Sequence, residues 1–169
     1  IIPVDIDPNT LNICLEDLEK TINHHQIKAA IVVDVGGLPV NIEAFSNLAK
    51  KHNFILIEDA AEALGSEFKK KKLGSFDHIT TFSFHIAKLI TTIEGGCVVS
   101  KNKKIIKKIE QIKDHGRTSN EKYIHDAVGT NFRTTDLQSV LGVQQLKKIE
   151  KYIDKRNKVA LRYRKEIKN

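Results

Sequence analysis

The sequence Phe54-Ile55-Leu56-Ile57-Glu58-Asp59 decides the fold class, because four apolar residues run directly into two carboxylates. A continuous apolar run of this length is typical of a strand inside a parallel sheet. Similar runs occupy residues 29–33 and 79–84, and apolar residues at helical spacing fill residues 41–52. The order strand, helix, strand predicts an α/β domain with a mostly parallel sheet, flanked by helices that cover both of its faces.

The chain continues this alternation beyond the third run. Cys97-Val98-Val99 follows two glycines and is predicted as a fourth strand, in which Cys97 is a small core residue. Residues 101–113 place their isoleucines on one stripe about 100° wide, so the lysines between them form a solvated helix face. We assign residues 1–133 to the α/β part of the chain.

The last third, residues 134–169, is predicted to be helical. It opens with Thr134-Thr135-Asp136, which are residue types that cap a helix N-terminus. The apolar positions then change sides along the segment. We therefore expect either a bend near Gly142 or burial on both sides, as at a subunit interface.

Composition excludes several classes of protein. The chain has 169 residues, a net charge of +7, 40% hydrophobic and 29% charged residues, which is the composition of one globular domain. No run approaches the ~18 apolar residues of a membrane helix, and no signal pattern opens the chain. The two cysteines have no zinc-ligand spacing, so we expect a cytoplasmic protein without a metal site. The run Lys69-Lys70-Lys71-Lys72 is interpreted as a solvated turn, which leaves a basic nucleic-acid binder only as a rival hypothesis.

Three side chains at predicted strand ends could carry chemistry. Asp59 follows the strand at 54–57, Ser83 ends the strand at 79–84, and Lys88 comes just beyond it. Ligands of parallel α/β sheets bind outside the carboxyl ends of the strands, so these side chains converge on one crevice if the strands are neighbours. Pyridoxal phosphate (PLP) needs an amine for its Schiff base, a carboxylate at its ring nitrogen and donors for its phosphate. The trio therefore suits a PLP site, whereas each of these residues alone has an ordinary structural explanation.

The residues around these three positions also form motifs that are specific for one protein family. The six motifs are, in order: Ile57-Glu58-Asp59-Ala60-Ala61-Glu62-Ala63-Leu64-Gly65-Ser66, Gly74-Ser75-Phe76, Phe82-Ser83-Phe84-His85-Ile86-Ala87-Lys88, Thr91-Thr92-Ile93-Glu94-Gly95-Gly96, Asp114-His115-Gly116-Arg117 and Gly129-Thr130-Asn131-Phe132-Arg133-Thr134-Thr135-Asp136-Leu137-Gln138. Together they resemble the sugar aminotransferases of the DegT/DnrJ/EryC1/StrS family. The resemblance implies the large PLP-binding domain of a fold type I aminotransferase, incomplete at both ends. Residues 134–169 would then lead toward a missing C-terminal small domain.

The resemblance implies a role for each matching residue. Lys88 corresponds to the Schiff-base lysine, and Asp59 to the acid that pairs with the pyridinium nitrogen. Glu62 stands where the family often has Gln near the phenolic oxygen of the cofactor. Ser83 corresponds to a phosphate ligand. Asn131 corresponds to a residue that reaches the cofactor phosphate of the partner subunit, which implies a homodimer with shared active sites.

The implied reaction is the PLP-dependent transfer of an amino group from an amino acid, by resemblance glutamate, to a nucleotide-linked keto-deoxysugar. Such reactions serve the synthesis of surface polysaccharides or secondary metabolites, and neither a nucleic acid nor a membrane is an expected partner. A dehydratase branch of the family has His at the lysine position, and Lys88 argues against that branch. The alternative is a catalytically inactive truncated relative that acts only as a binding or assembly module. One departure concerns Asp34, which stands near a place where the family often has His.

Overall fold

The computed structural model describes residues 1–118 and 123–167. Its strands are β1 (Ala29–Val33), β2 (Ile55–Asp59), β3 (Glu67–Phe68), β4 (Lys71–Lys72), β5 (Ile79–Ser83) and β6 (Gly96–Val99). Its helices are α1 (Leu15–His24), α2 (Ile42–His52), α3 (Lys103–Lys113), α4 (Asp136–Leu146) and α5 (Ile149–Glu166).

The main sheet has the strand order β1-β2-β5-β6. β1, β2 and β5 are parallel, and β6 returns antiparallel to β5. The predicted α/β fold with a mostly parallel sheet is therefore confirmed, and the predicted fourth strand is its antiparallel member. β3 and β4 form a separate hairpin. The predicted solvated turn is confirmed, because Lys69 and Lys70 connect the two strands with positive φ and all four lysines are exposed.

One face of the sheet forms the core. Successive residues of a strand point to opposite faces, and in β2 Leu56 and Glu58 are buried whereas Ile55 is exposed. Helix α2 packs on the buried face with Phe45 and Leu48. This helix begins where the Asn41 side chain accepts a hydrogen bond from the Ala44 amide, which satisfies one of the free backbone donors of its first turn.

The opposite face is open along β1 and β2. Ile31 is 61% exposed and Ile55 is 50% exposed, and Val33 and Val98 also reach solvent on this side. Helices flank the sheet as predicted, but the expectation that they cover both faces is wrong for these strands in the described residues. A continuous apolar run predicts a strand that is covered on both faces. It does not show whether this chain supplies the helices that cover the second face.

The last two helices rule out one of the two alternatives for the change of sides, the bend near Gly142. The other alternative, burial on both sides at a subunit interface, stays a prediction. α4 runs through Gly142 without interruption, and the chain instead breaks at Lys147 and Lys148, between α4 and α5. Gly142 serves a close approach, because a Cβ there would lie 2.9 Å from Cγ2 of Thr92. The predicted cap is present, since Thr135 forms a capping box with Gln138. In the described residues, 1–118 and 123–167, no helix has the length and apolar character needed to cross a bilayer.

Candidate active site

Asp59 is the last residue of β2, at the carboxyl end of the parallel strands. It lies in register with Val33 of β1 and Thr81 of β5. Its Oδ1 accepts a hydrogen bond of 3.1 Å from the Ala61 amide, which turns the chain away from the sheet. Because β2 alternates, Asp59 points away from the buried side of its neighbour Glu58 and stays partly accessible.

Lys88 lies on a closed loop between β5 and β6, residues 84–95, which we call the Lys88 loop. The Phe84 amide donates to the Gly95 carbonyl at 2.8 Å, and the Thr92 amide donates to the Phe84 carbonyl at 2.9 Å. Ile90 and Thr92 are buried and anchor the loop from within. The loop therefore holds Lys88 just past the end of β5, near Ser83.

A cleft of about 320 Å³, which we call the Lys88 cleft, opens at this edge of the sheet. Its walls come from four parts of the chain: Gly36, Ala61, Glu62, Leu64, Ser83, Ala87, Lys88, Leu89 and Arg156. Nζ of Lys88 lies 3.8 Å from Oε1 of Glu62, and the Lys88 side chain is 26% exposed. Oε2 of Glu62 accepts a hydrogen bond of 2.9 Å from the Gly36 amide, which fixes the carboxylate beside the amine.

The structure thus brings most of the predicted site residues to one place. Lys88, Glu62 and Ser83 line the same cleft. Asp59 is not among the described residues of its wall but lies at the same edge, three residues before Glu62. The volume falls within the range of small-molecule sites, and an amine, hydroxyl and carboxylates are the groups that PLP requires.

Asn131 lies in a different cluster. It pairs with Asp114 in an isolated bridge, and its Oδ1 accepts hydrogen bonds from the backbone amide and Nε of Arg133. Hydrogen bonds from the side chains of Arg117 and His115 lower the pKa of Asp114. Asn131 is exposed and is absent from the Lys88 cleft as described for this chain.

A buried polar network lies on the core face beneath the site, and the sequence analysis did not identify it. Oε2 of Glu58 accepts a hydrogen bond of 2.9 Å from Thr80 and lies 3.0 Å from Nε2 of His78. Oδ1 of Asp34 accepts a hydrogen bond of 2.9 Å from the Val40 amide. Burial raises the pKa of Asp34 to about 7, and the nearby Glu58 carboxylate contributes to this increase. The alternation of buried and exposed residues along β2 could have indicated that Glu58 points into the core.

The sequence analysis also missed Arg156, which α5 contributes to the Lys88 cleft. The helix reaches the cleft because it packs on Gly65, where a Cβ would lie 2.6 Å from Cδ1 of Ile153. A polar helix far along the chain carries no local signal for such a contact. Arg156 and Lys88 add two cationic groups to the cleft beside the single carboxylate of Glu62.

Comparisons with known proteins place this geometry in a family. The sequence matches the profile of the DegT/DnrJ/EryC1/StrS aminotransferase family over residues 1–169. It is 46% identical over 147 residues to a UDP-4-amino-4,6-dideoxy-N-acetyl-β-L-altrosamine transaminase of Campylobacter jejuni, covering 86% of this chain and 39% of that protein.

Two solved structures share the fold. PseC of Helicobacter pylori, an aminotransferase involved in the biosynthesis of pseudoaminic acid, superposes with a TM-score of 0.89 at 38% identity and covers 96% of this chain. The GDP-4-keto-6-deoxy-D-mannose-3-dehydratase of Escherichia coli, with bound hydrated PLP, gives a TM-score of 0.84 at 32% identity over 93% of this chain. The present chain spans 44% of each of these two chains, so it is less than half their length.

The fold, the Lys88 cleft and the profile match over the whole sequence agree with one another. The chain belongs to the DegT/DnrJ/EryC1/StrS aminotransferase family.

Proposed function

We propose that this chain carries the PLP-binding site of an aminotransferase that transfers an amino group from an amino acid to a nucleotide-linked keto-deoxysugar. The observation that carries the proposal is the amine of Lys88, which lies in a cleft at the carboxyl ends of parallel strands beside Glu62 and Ser83. Family membership supplies the reaction class.

The residues present fit PLP. The Lys88 amine would form the covalent link, the Ser83 hydroxyl would donate to the phosphate, and the Asp59 carboxylate would pair with the ring nitrogen. When bound, PLP supplies an electron sink for the charge that develops at the α-carbon of the donor. Asp59 would maintain that sink, because a carboxylate beside the ring nitrogen favours its protonated form.

Lys88 would have a second task once its amine is free. The amine would move a proton taken from the donor α-carbon, as general base and then as general acid. Glu62 lies 3.8 Å from this amine, and the Gly36 amide holds the carboxylate in place. Glu62 would therefore keep the free amine inside the cleft while it holds the proton.

Substrate class and assembly are inferred from the relatives and from charge. The Campylobacter relative is a UDP-sugar transaminase and the Escherichia coli relative acts on a GDP-sugar. Arg156 gives the Lys88 cleft a cationic group for an anionic substrate, and glutamate is the donor that the family resemblance implies. Asn131, exposed and outside the cleft, would reach the site of a partner subunit in a homodimer. A cytoplasmic location is also part of the proposal, and the two free cysteines, Cys14 and Cys97, support it.

The decisive experiment is trapping of PLP on the protein. We expect borohydride reduction of the full chain with PLP to leave a stable adduct on the peptide that contains Lys88, detected by mass spectrometry. Lys88→Ala should remove this adduct completely, because Lys88 is the one lysine among the described residues of the cleft wall. The matched control is Lys101→Ala, an exposed lysine beyond β6 that should leave the adduct unchanged.

Two outcomes would contradict the proposal. Adducts spread equally over surface lysines would show that Lys88 has no special site. A folded chain with no adduct at Lys88 would favour the inactive relative that acts only in binding or assembly.

A further inference from the structure

The amide side chain of Gln138, in the first turn of α4, makes contacts in two directions. Its Oε1 accepts a hydrogen bond of 2.9 Å from the backbone amide of Thr135. In return, the backbone amide of Gln138 donates to Oγ1 of Thr135. These contacts form the capping box of α4. Its Nε2 points the other way and donates to the Glu94 carbonyl at 2.8 Å.

Glu94 belongs to the Lys88 loop, and its carbonyl is a junction of that loop. The same oxygen accepts a hydrogen bond of 2.8 Å from Oγ1 of Thr92. Thr92 in turn donates its amide to Phe84 at the start of the loop. A carbonyl oxygen has two lone pairs, so Thr92 and Gln138 satisfy it fully.

Helix α4 also packs directly against the Lys88 loop one turn further on. A Cβ at Gly142 would lie 2.9 Å from Cγ2 of Thr92, so the helix reaches this distance only because residue 142 has no side chain. The hydrogen bond from Gln138 and the contact at Gly142 therefore act on the same two loop residues, Thr92 and Glu94.

We propose that Gln138 is a positioning residue for Lys88: it braces the Lys88 loop against α4 and so holds the amine at its place in the cleft. This inference rests on the proposed function for the role of Lys88. One half of the Gln138 amide caps the helix, and the other half fixes the loop.

The two tasks can be separated by one substitution. Gln138→Glu retains an oxygen acceptor for the Thr135 amide, and Glu is a favoured residue at this position of a capping box. An ionised Glu cannot donate to the Glu94 carbonyl, so only the brace is lost. Gln144→Glu is the matched control, because it makes the same charge change at an exposed position of the same helix.

Two measurements on the full chain test the brace. In hydrogen exchange without cofactor, we expect amides of the Lys88 loop, including Thr92, to exchange about fivefold faster in Gln138→Glu, the effect of losing one hydrogen bond. In PLP trapping with borohydride across a pH series, we expect about fivefold weaker capture at Lys88 and an altered pH profile. The melting temperature should fall by no more than about 4 °C, the shift expected for one lost hydrogen bond in a domain of this size, and Gln144→Glu should change none of the three.

The outcomes separate this inference from the proposed function. If Gln138→Glu keeps both slow exchange in the Lys88 loop and wild-type capture of PLP, the brace is overturned. A fall in melting temperature that accounts for the loss of capture would reduce Gln138 to a helix cap. If the wild-type chain captures no PLP at Lys88, the proposed function fails, and hydrogen exchange alone decides whether Gln138 holds the loop.

Discussion

Glu58 and Asp59 are neighbouring carboxylates in one strand, yet they belong to two different regions of the molecule. Glu58 points to the core face, is fully buried and contacts His78 and Thr80. Asp59 points to the open face, stays accessible and contacts only the backbone among the hydrogen bonds described for it. A strand alternates its faces, so a single peptide unit separates a carboxylate that holds the fold from one available for chemistry.

The difference between Glu58 and Asp59 shows how a carboxylate is stabilised on the core face and on the open face. On the core face a carboxylate requires partners, because a buried charge without them costs several kcal/mol, on the order of the whole stability of a domain. On the open face water solvates the carboxylate until a ligand arrives. Substitutions at the two positions should therefore fail in different assays.

The largest effect on stability should follow the loss of Glu58. Glu58→Ala leaves His78 and Thr80 buried without their acceptor, and breaking a buried pair costs about 3–5 kcal/mol. Urea unfolding of the full chain would measure this as a lower midpoint. An unfolding free energy within about 0.5 kcal/mol of wild type would show that the core network is dispensable.

Asp59→Asn should show the opposite pattern. Asn retains the acceptor for the Ala61 amide and occupies a partly exposed position, so we expect stability to change by less than about 0.5 kcal/mol. Amino transfer should fall by about 10²–10³, the usual loss when one electrostatic partner of the reacting group is removed. The measurement is the single-turnover half reaction with an amino donor, using the complete protein loaded with PLP.

Wild-type rates in Asp59→Asn would contradict the role proposed for this carboxylate. Glu62→Gln is a useful companion variant, because it changes a carboxylate in the same cleft without touching the strand end. If both variants lose the same factor, the loss reflects the charge of the cleft and not a specific contact of Asp59.

The two regions also differ in how far the sequence predicts them. Lys88 and Asp59 could be placed at strand ends because apolar runs and their polar successors are local signals. The contact of Glu58 with His78 could not, since it depends on β2 and β5 lying side by side in one register. Arg156 and Gln138 reach the site through helix packing, which leaves no mark at any fixed spacing.

The open face of the sheet also shows a limit of sequence-based prediction, because residues predicted to be buried are exposed there. Ile31 and Ile55 lie in runs that predict strands covered on both faces, yet they are exposed. Apolar residues at alternating positions indicate which side chains could be buried, not which layer buries them. Similarly, the apolar positions of the last third change sides where α4 ends and α5 begins, at Lys147 and Lys148. Gly142 lies inside α4 and allows a close contact with Thr92.

The smallest predicted effect concerns Asp34, which extends the core network to the end of β1. In the folded chain its pKa is about 7, chiefly because burial disfavours the charged form, whereas in the unfolded chain it titrates near 3.8. Between these values the folded state retains a proton that the unfolded state releases. The contribution of Asp34 to the unfolding free energy should therefore be largest below pH 4 and decrease as the pH rises toward 7.

Asp34→Asn removes this titration while keeping an oxygen for the Val40 amide. We expect equal stability of variant and wild type at pH 4, and at pH 8 a more stable variant by at least about 1.4 kcal/mol, the free energy of one pKa unit. Urea unfolding across this pH range gives the difference directly. If the two curves remain parallel, Asp34 does not titrate in this window, and its burial beside Glu58 must be balanced by a partner of its own. If the curves diverge, the core face contains a carboxyl group that costs stability, Asp34, next to the hydrogen-bonded Glu58. The difference between the curves then measures the free energy of burying a carboxylate that solvent would stabilise at Asp59.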